Sequence, residues 1–115
     1  MKIYLILAAI LCVFVSPVSY SQAFDFEDCL VVEVVSAGAK NAHVQLDCVI
    51  EPRPECATAG RYFAFDKSTE EGKQYMSMVL TAYATGSKLT GLVNDTQCSP
   101  YQGNAALLGH LRMRK

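Results

Sequence analysis

Cysteine is the residue type here whose number and spacing point most directly to chemistry. The chain holds five: Cys12, Cys29, Cys48, Cys56 and Cys98. Cys12 lies in an apolar leader, treated below, whose removal would leave four, an even number able to pair completely. Four cysteines allow three connectivities, and spacing alone does not choose among them. A zinc site is disfavoured: no Cys-x-x-Cys occurs, and exported thiols tend to oxidise. The same missing spacing argues against a thioredoxin-like redox role. No metal and no cofactor is expected.

Other reactive types are sparse. His43 and His110 are the only imidazoles, and both fall mid-strand on polar faces, where a solvent-facing role suffices. Neither a Gly-x-Ser-x-Gly elbow nor a Cys-His-Asn arrangement is present, so no nucleophile is indicated and the chain does not read as an enzyme. Glu70 and Glu71 are paired carboxylates best explained by helix capping. Tyr75 and Tyr83, two helical turns apart, read as core. Asn94-Asp95-Thr96 matches a glycosylation sequon, which matters only in a eukaryotic secretory pathway. The richest recognition stretch is the polar loop after the fourth strand. There Tyr101 stands among Ser99, Gln102 and Asn104, a flat aromatic beside amides and a hydroxyl that could stack on and hydrogen-bond to a sugar.

The elements that must position these groups begin with the leader. Met1-Lys2 is positive, Ile3 to Val15 is almost purely apolar, Pro17 breaks the run, and Ser21-Gln22-Ala23 supplies small residues before a cleavage point. This is the pattern of a secretory signal peptide over residues 1–23. As a helix, the apolar run would span about 20 Å, short of the ~30 Å hydrocarbon core. The expected mature chain, residues 24–115, is one small domain of 92 residues. It would be periplasmic or secreted, with no membrane attachment after cleavage. A chain of this size gains from covalent staples. Without Lys2, nine basic residues face eleven acidic ones, and nothing suggests nucleic acid. The Arg112-Met113-Arg114-Lys115 tail reads as a solvated end.

Leu30 to Ser36 and Ala42 to Ile50 read as strands around the turn-like Ala37-Gly38-Ala39-Lys40-Asn41. A hairpin centred between Gly38 and Ala39 sets Cys29 opposite Cys48, so a cross-strand bridge is possible. That register leaves Val32 and Val34 facing Gln45 and His43, whereas a one-residue shift aligns Val34 with Val44. A β-bulge between the cysteines and the turn satisfies both, and one is predicted. Cys56 and Cys98 are the remaining pair. The proline-rich 51–55 connection cannot continue a ladder.

Arg61 to Asp66 is a third strand. Ser68 as N-cap with Glu71 predicts a helix over about 69–85, with Met76, Val79, Leu80 and Tyr83 as its apolar stripe and Gly86 ending it. Leu89 to Asn94 and Ala105 to Met113 complete the set. Along the last strand, Leu107, Leu111 and Met113 share one face, and Leu108, His110, Arg112 and Arg114 share the other. The order β-β-β-α-β-β is mostly β with one helix. It matches an OB-like five-stranded small barrel, partly open and disulfide-stapled, whose curled sheet supplies its own core.

The stretch Tyr62-Phe63-Ala64-Phe65-Asp66, then Gly72-Lys73-Gln74-Tyr75-Met76, then Leu80 to Leu89 and Cys98 resembles small exported bacterial proteins related to the subtilase-cytotoxin B subunit. The resemblance spans about half of residues 24–115 and rests mostly on structural motifs. It implies an OB-like fold, a Cys56–Cys98 bridge and a ring-forming, glycan-binding ancestry, and it carries over no ligand-binding residue. The functional expectation is a non-enzymatic exported binding module, alone or oligomeric, recognising a glycan or a protein surface. The alternative is a stand-alone periplasmic structural or inhibitor domain without small-ligand binding.

Overall fold

The computed structural model describes residues 24–115; the expected signal peptide and Cys12 lie outside the described residues. Six strands and one helix follow in the order β1 (Phe26–Cys29), β2 (Val31–Ala37), β3 (Asn41–Leu46), β4 (Tyr62–Asp66), α1 (Glu70–Thr85), β5 (Lys88–Cys98) and β6 (Ala106–Arg114). All six strands form one sheet in the order β1-β5-β6-β4-β3-β2, with β4 and β6 parallel and the other pairs antiparallel. The expectation of a mostly β domain with a single helix and two disulfides holds. Two details change: there are six strands rather than five, and the sheet is not a closed barrel.

Both changes have one origin. An additional strand, β1, lies upstream of the expected first strand and is parted from β2 at Leu30, so that β1 pairs with β5 while β2 pairs with β3. The two edge strands are consecutive in the chain, and the sheet curls to bring them together without a β1–β2 ladder. Asp28, at φ 50, sits in the irregular stretch between Phe26 and Cys29. Asp47 secures the junction: its N–H donates to Leu30 O at 3.0 Å, and its carboxylate accepts from Leu30 N–H at 2.9 Å.

The predicted bulge is present. Val34 faces Val44 and Val35 faces His43, but Val31 faces Leu46, and the register shifts between Val31 and Glu33. Cys29 and Cys48 are bridged across it, and Cys56 and Cys98 are bridged as well. A second bulge corrects the expected faces of β6. Leu92 pairs with His110 but Val93 pairs with Leu108, which skips Gly109. Leu108 therefore joins Leu111 in the core.

The core lies on the concave side, where Phe26 stacks on Phe63 with ring centroids 5.5 Å apart, between Leu46, Val44, Leu89 and Val79. Helix α1 ends on Gly86 at φ 70, as expected, but its start differs. Asp66 captures the N–H and hydroxyl of Ser68, so Thr69 is the N-cap and its hydroxyl accepts from Gly72 N–H at 2.8 Å. The buried helical face also differs, running through Gly72, Val79 and Ala82. Leu80 and Tyr83 are 49% and 56% exposed, because the helix is turned to let Gly72 rest directly on the Asp66–Lys67 backbone.

Candidate functional site

Alternation along β3 sends Ala42, Val44 and Leu46 into the core and Asn41, His43 and Gln45 to the outer face. On β4 the outer row is Tyr62, Ala64 and Asp66, opposite Gln45, His43 and Asn41 respectively. Tyr62 donates its hydroxyl to Gln45 at 3.1 Å, and its ring lies 5.9 Å from that of His43. Ala64, opposite His43, leaves space above the sheet.

The loop after β5 folds over this space. Cys98 ties its start to Cys56. Ser99 N–H donates to Ala105 O and Ala105 N–H to Gln102 O, both at 3.0 Å, while Ala59 N–H donates to Asn104 O at 3.0 Å. The loop is thus closed on itself and pinned to the strap before β4. Of the four residues read from sequence as ligand-binding, Tyr101, Gln102 and Asn104 come together at the surface. Ser99 does not reach it: 2% exposed, its hydroxyl accepts from Tyr101 N–H at 3.2 Å and shapes the loop.

Tyr101 is 44% exposed, and Lys40 Nζ lies 5.7 Å from its ring centroid. Behind it runs a chain of amides: Asn41 Nδ2 donates to Gln102 Oε1 at 3.3 Å, and Gln102 Nε2 donates to Asn104 Oδ1 at 2.9 Å. Two shallow depressions meet at Gln102. One, of about 280 Å³, is lined by His43, Ala59, Tyr62, Gln102, Asn104 and Ala105. The other, of about 510 Å³, lies between the β2–β3 turn and Tyr101, with Asn41 at its base.

Asn41 and His43 are the residues that the sequence reading missed as site residues. Asn41 is only 7% exposed, yet its Oδ1 has no hydrogen-bond partner, nor has the buried Nδ1 of His43. Among the described residues these are the only buried side-chain polar atoms so placed. Each such atom costs roughly 1–3 kcal/mol when left unsatisfied. The available signal was the polar alternation Asn41-x-His43-x-Gln45 on a strand whose other face is wholly apolar.

The remaining surface is chemically quieter. A depression of about 470 Å³ is formed by residues of the 51–58 segment. Its one cation, Arg53, already donates to Ala57 O, Ile50 O and the Glu51 carboxylate. Cys29, Asp47 and Cys48 cluster closely, but the two sulfurs are bonded to each other and Asp47 accepts from Leu30. Near the helix start, hydrogen bonds from the Ser68 hydroxyl and N–H hold the Asp66 carboxyl below its ordinary range. Burial, followed by the adjacent Glu71 carboxylate, pushes the Tyr75 hydroxyl up to about 12. Between β2 and α1 lies a larger apolar depression of about 620 Å³, lined by Val32, Val34, Met76, Leu80 and Tyr83 with Glu33 and Ser36.

No protein-family model, curated protein or solved structure matches this chain. The site's geometry therefore carries the functional argument. It offers one exposed ring for stacking, amide donors and acceptors held in a fixed row, and two buried polar atoms without partners on the adjoining sheet.

Proposed function

We propose that the domain is an exported, non-enzymatic binding module that recognises a glycan at the Tyr101–Gln102–Asn104 face. One observation carries the reading: a half-exposed aromatic ring stands beside an amide row held by hydrogen bonds, on a loop closed by its own backbone and a disulfide. Sugars present apolar ring faces edged with hydroxyls, and this arrangement complements both. The two disulfides fit an oxidising compartment. Kinship with toxin B subunits belongs to the same proposal, and the fold alone does not license a ligand.

The deciding experiment is a glycan array probed with the exported domain and with Tyr101→Ala. Binding to one sugar class, weakened about tenfold or more (~1.4 kcal/mol) by the substitution, supports the proposal. An array without signal, or one unaffected by Tyr101→Ala, refutes it.

A second reading has its own support. Val32, Leu80 and Tyr83 are exposed around the apolar depression beside edge strand β2, a surface suited to protein contact. A structural or inhibitor domain would use this face. Sedimentation of the wild type against a Leu80→Lys variant tests self-association there.

A further inference from the structure

We propose that Asn41 and His43, on the outer row of β3, form a second sugar subsite, so that the domain takes an oligosaccharide of at least two units lying across Gln102. The proposal rests on the glycan reading of Tyr101. It adds the reason for two buried polar atoms that the fold leaves without partners.

The argument begins with position. Asn41 and His43 are two residues apart on one strand face, so their side chains rise about 7 Å apart. Asn41 lies in the depression that Tyr101 borders, and His43 lies in the one roofed by Tyr62 and Asn104. Gln102 lines both depressions and separates them. The His43 cleft, at about 280 Å³, stands near the lower end of ligand-pocket sizes, which suits one ring rather than a whole chain.

The chemistry selects the occupant. Asn41 Oδ1 is an acceptor, its amide nitrogen being committed to Gln102. With its proton on Nε2, His43 presents Nδ1 as an acceptor too. Two buried acceptors call for a ligand rich in donors. Lys40 beside Tyr101 and Asp66 opposite Asn41 carry opposite charges, so neither sign is favoured at that end. Neutral hydroxyls meet these conditions. The Tyr101 ring would take one sugar by stacking, and the His43 cleft the next by hydrogen bonds.

The test uses a printed array of defined mono-, di- and trisaccharides, followed by calorimetric titration with the tightest disaccharide and its component monosaccharides. Wild-type protein should prefer the disaccharide by tenfold or more. The double variant Asn41→Leu/His43→Phe should lose that preference and bind the disaccharide no better than the monosaccharide. Its melting temperature should stay level or rise, because the buried unpaired atoms are gone. Residues kept for structure alone would lower the melting temperature and leave the preference intact, and that result overturns the subsite. If the variant fails to fold, the wild type decides. His43 ring nitrogen resonances should shift on adding the disaccharide but not the monosaccharide, and unmoved resonances overturn the subsite. Binding that depends on Tyr101 yet ignores both lengths and both substitutions refutes only the second subsite. An array without signal refutes the glycan reading, and the subsite with it.

Discussion

Replacing Gly72 with alanine should reverse the usual rule for helices. Gly72 lies in the first turn of α1, and in a helix alanine is ordinarily favoured over glycine by about 1 kcal/mol. A Cβ built there would stand 1.8 Å from Asp66 O, 2.7 Å from Asp66 C and 2.9 Å from Lys67 Cα, all backbone atoms. No side-chain rotation relieves that overlap, so the helix start must move off the β4–α1 connection. Overpacking of this kind costs about 1–3 kcal/mol, and more in tight sites. Displacing the turn also strains the bond from Gly72 N–H to the Thr69 hydroxyl, a cap worth about 1 kcal/mol. Set against the propensity gain, the net loss is about 1–3 kcal/mol. For a domain of this size each kcal/mol corresponds to roughly 4–8 °C, so melting should fall by roughly 4–24 °C. The assay is thermal unfolding by circular dichroism with both disulfides intact, and Ser77→Ala on the exposed face of α1 as control. Ser77→Ala should hold or slightly raise the melting temperature. A Gly72→Ala protein that melts at or above the wild type would show that the close approach of α1 to β4 is wrong.

Removing the disulfides should be unequal in effect. On the chain-entropy relation, the Cys56–Cys98 bridge, with a separation of 42, stabilises by about 4 kcal/mol, and Cys29–Cys48, with a separation of 19, by about 3 kcal/mol. Denaturant unfolding of the paired serine variants should show the larger loss for Cys56→Ser/Cys98→Ser, and equal losses would argue against loop length as the cause. The alkaline limb of stability should depend on Tyr75, whose Oη lies 2.7 Å from Glu71 Oε1 and 3.1 Å from Gly109 O. Its pKa is raised in the fold, so its contribution is fully present below pH ~10, the ordinary tyrosine value, and is lost as pH rises through about 12. Tyr75→Phe should flatten that decline in melting temperature between pH 9 and 12. Asp66 carries the opposite sign: its lowered pKa gives stability above the ordinary value of 3.8 that is lost as pH falls through the folded value. Ser68→Ala should therefore weaken the acid-side dependence in a melting series between pH 2 and 5.

The sequence made some features legible because two requirements met on the same residues. The bulge in β2 was one such case. Pairing Cys29 with Cys48 and keeping Val34 opposite Val44 demand different registers, and only an extra residue reconciles them. The surface grouping of Tyr101, Gln102 and Asn104 was another, since one short polar loop holds all three. Other features depended on contacts that no local pattern records. Phe26-Glu27-Asp28-Cys29 is short, with two acids at its centre, and it becomes a strand only because β5 offers it an edge more than sixty residues later. The helical stripe was misassigned because 3.6-residue periodicity cannot register that Gly72 admits the backbone of another segment. Asn41 read as a turn residue and His43 as a solvent-facing one; they become half of a candidate site only when residues 99–105 fold over them.

The break at Leu30 has a consequence in time. The β2–β3 hairpin closes between neighbours, so it can form once residues up to about 46 have emerged. Its continuation, β1, must wait for β5: Asp28 N–H is held by Thr90 Oγ1, 62 residues on, and Asp25 accepts from Val93, 68 residues on. The wait from residue 46 to Thr90 is 44 residues, so at about 5–20 residues per second of synthesis that delay is roughly 2–9 s. For that interval the nascent chain carries a finished hairpin with a loose, sticky end. The Cys29–Cys48 bridge sits at the boundary and needs nothing beyond residue 48, so oxidation can lock the hairpin before the partner of β1 exists. An oxidant present early would thus act as a latch that shortens the search left to the rest of the chain.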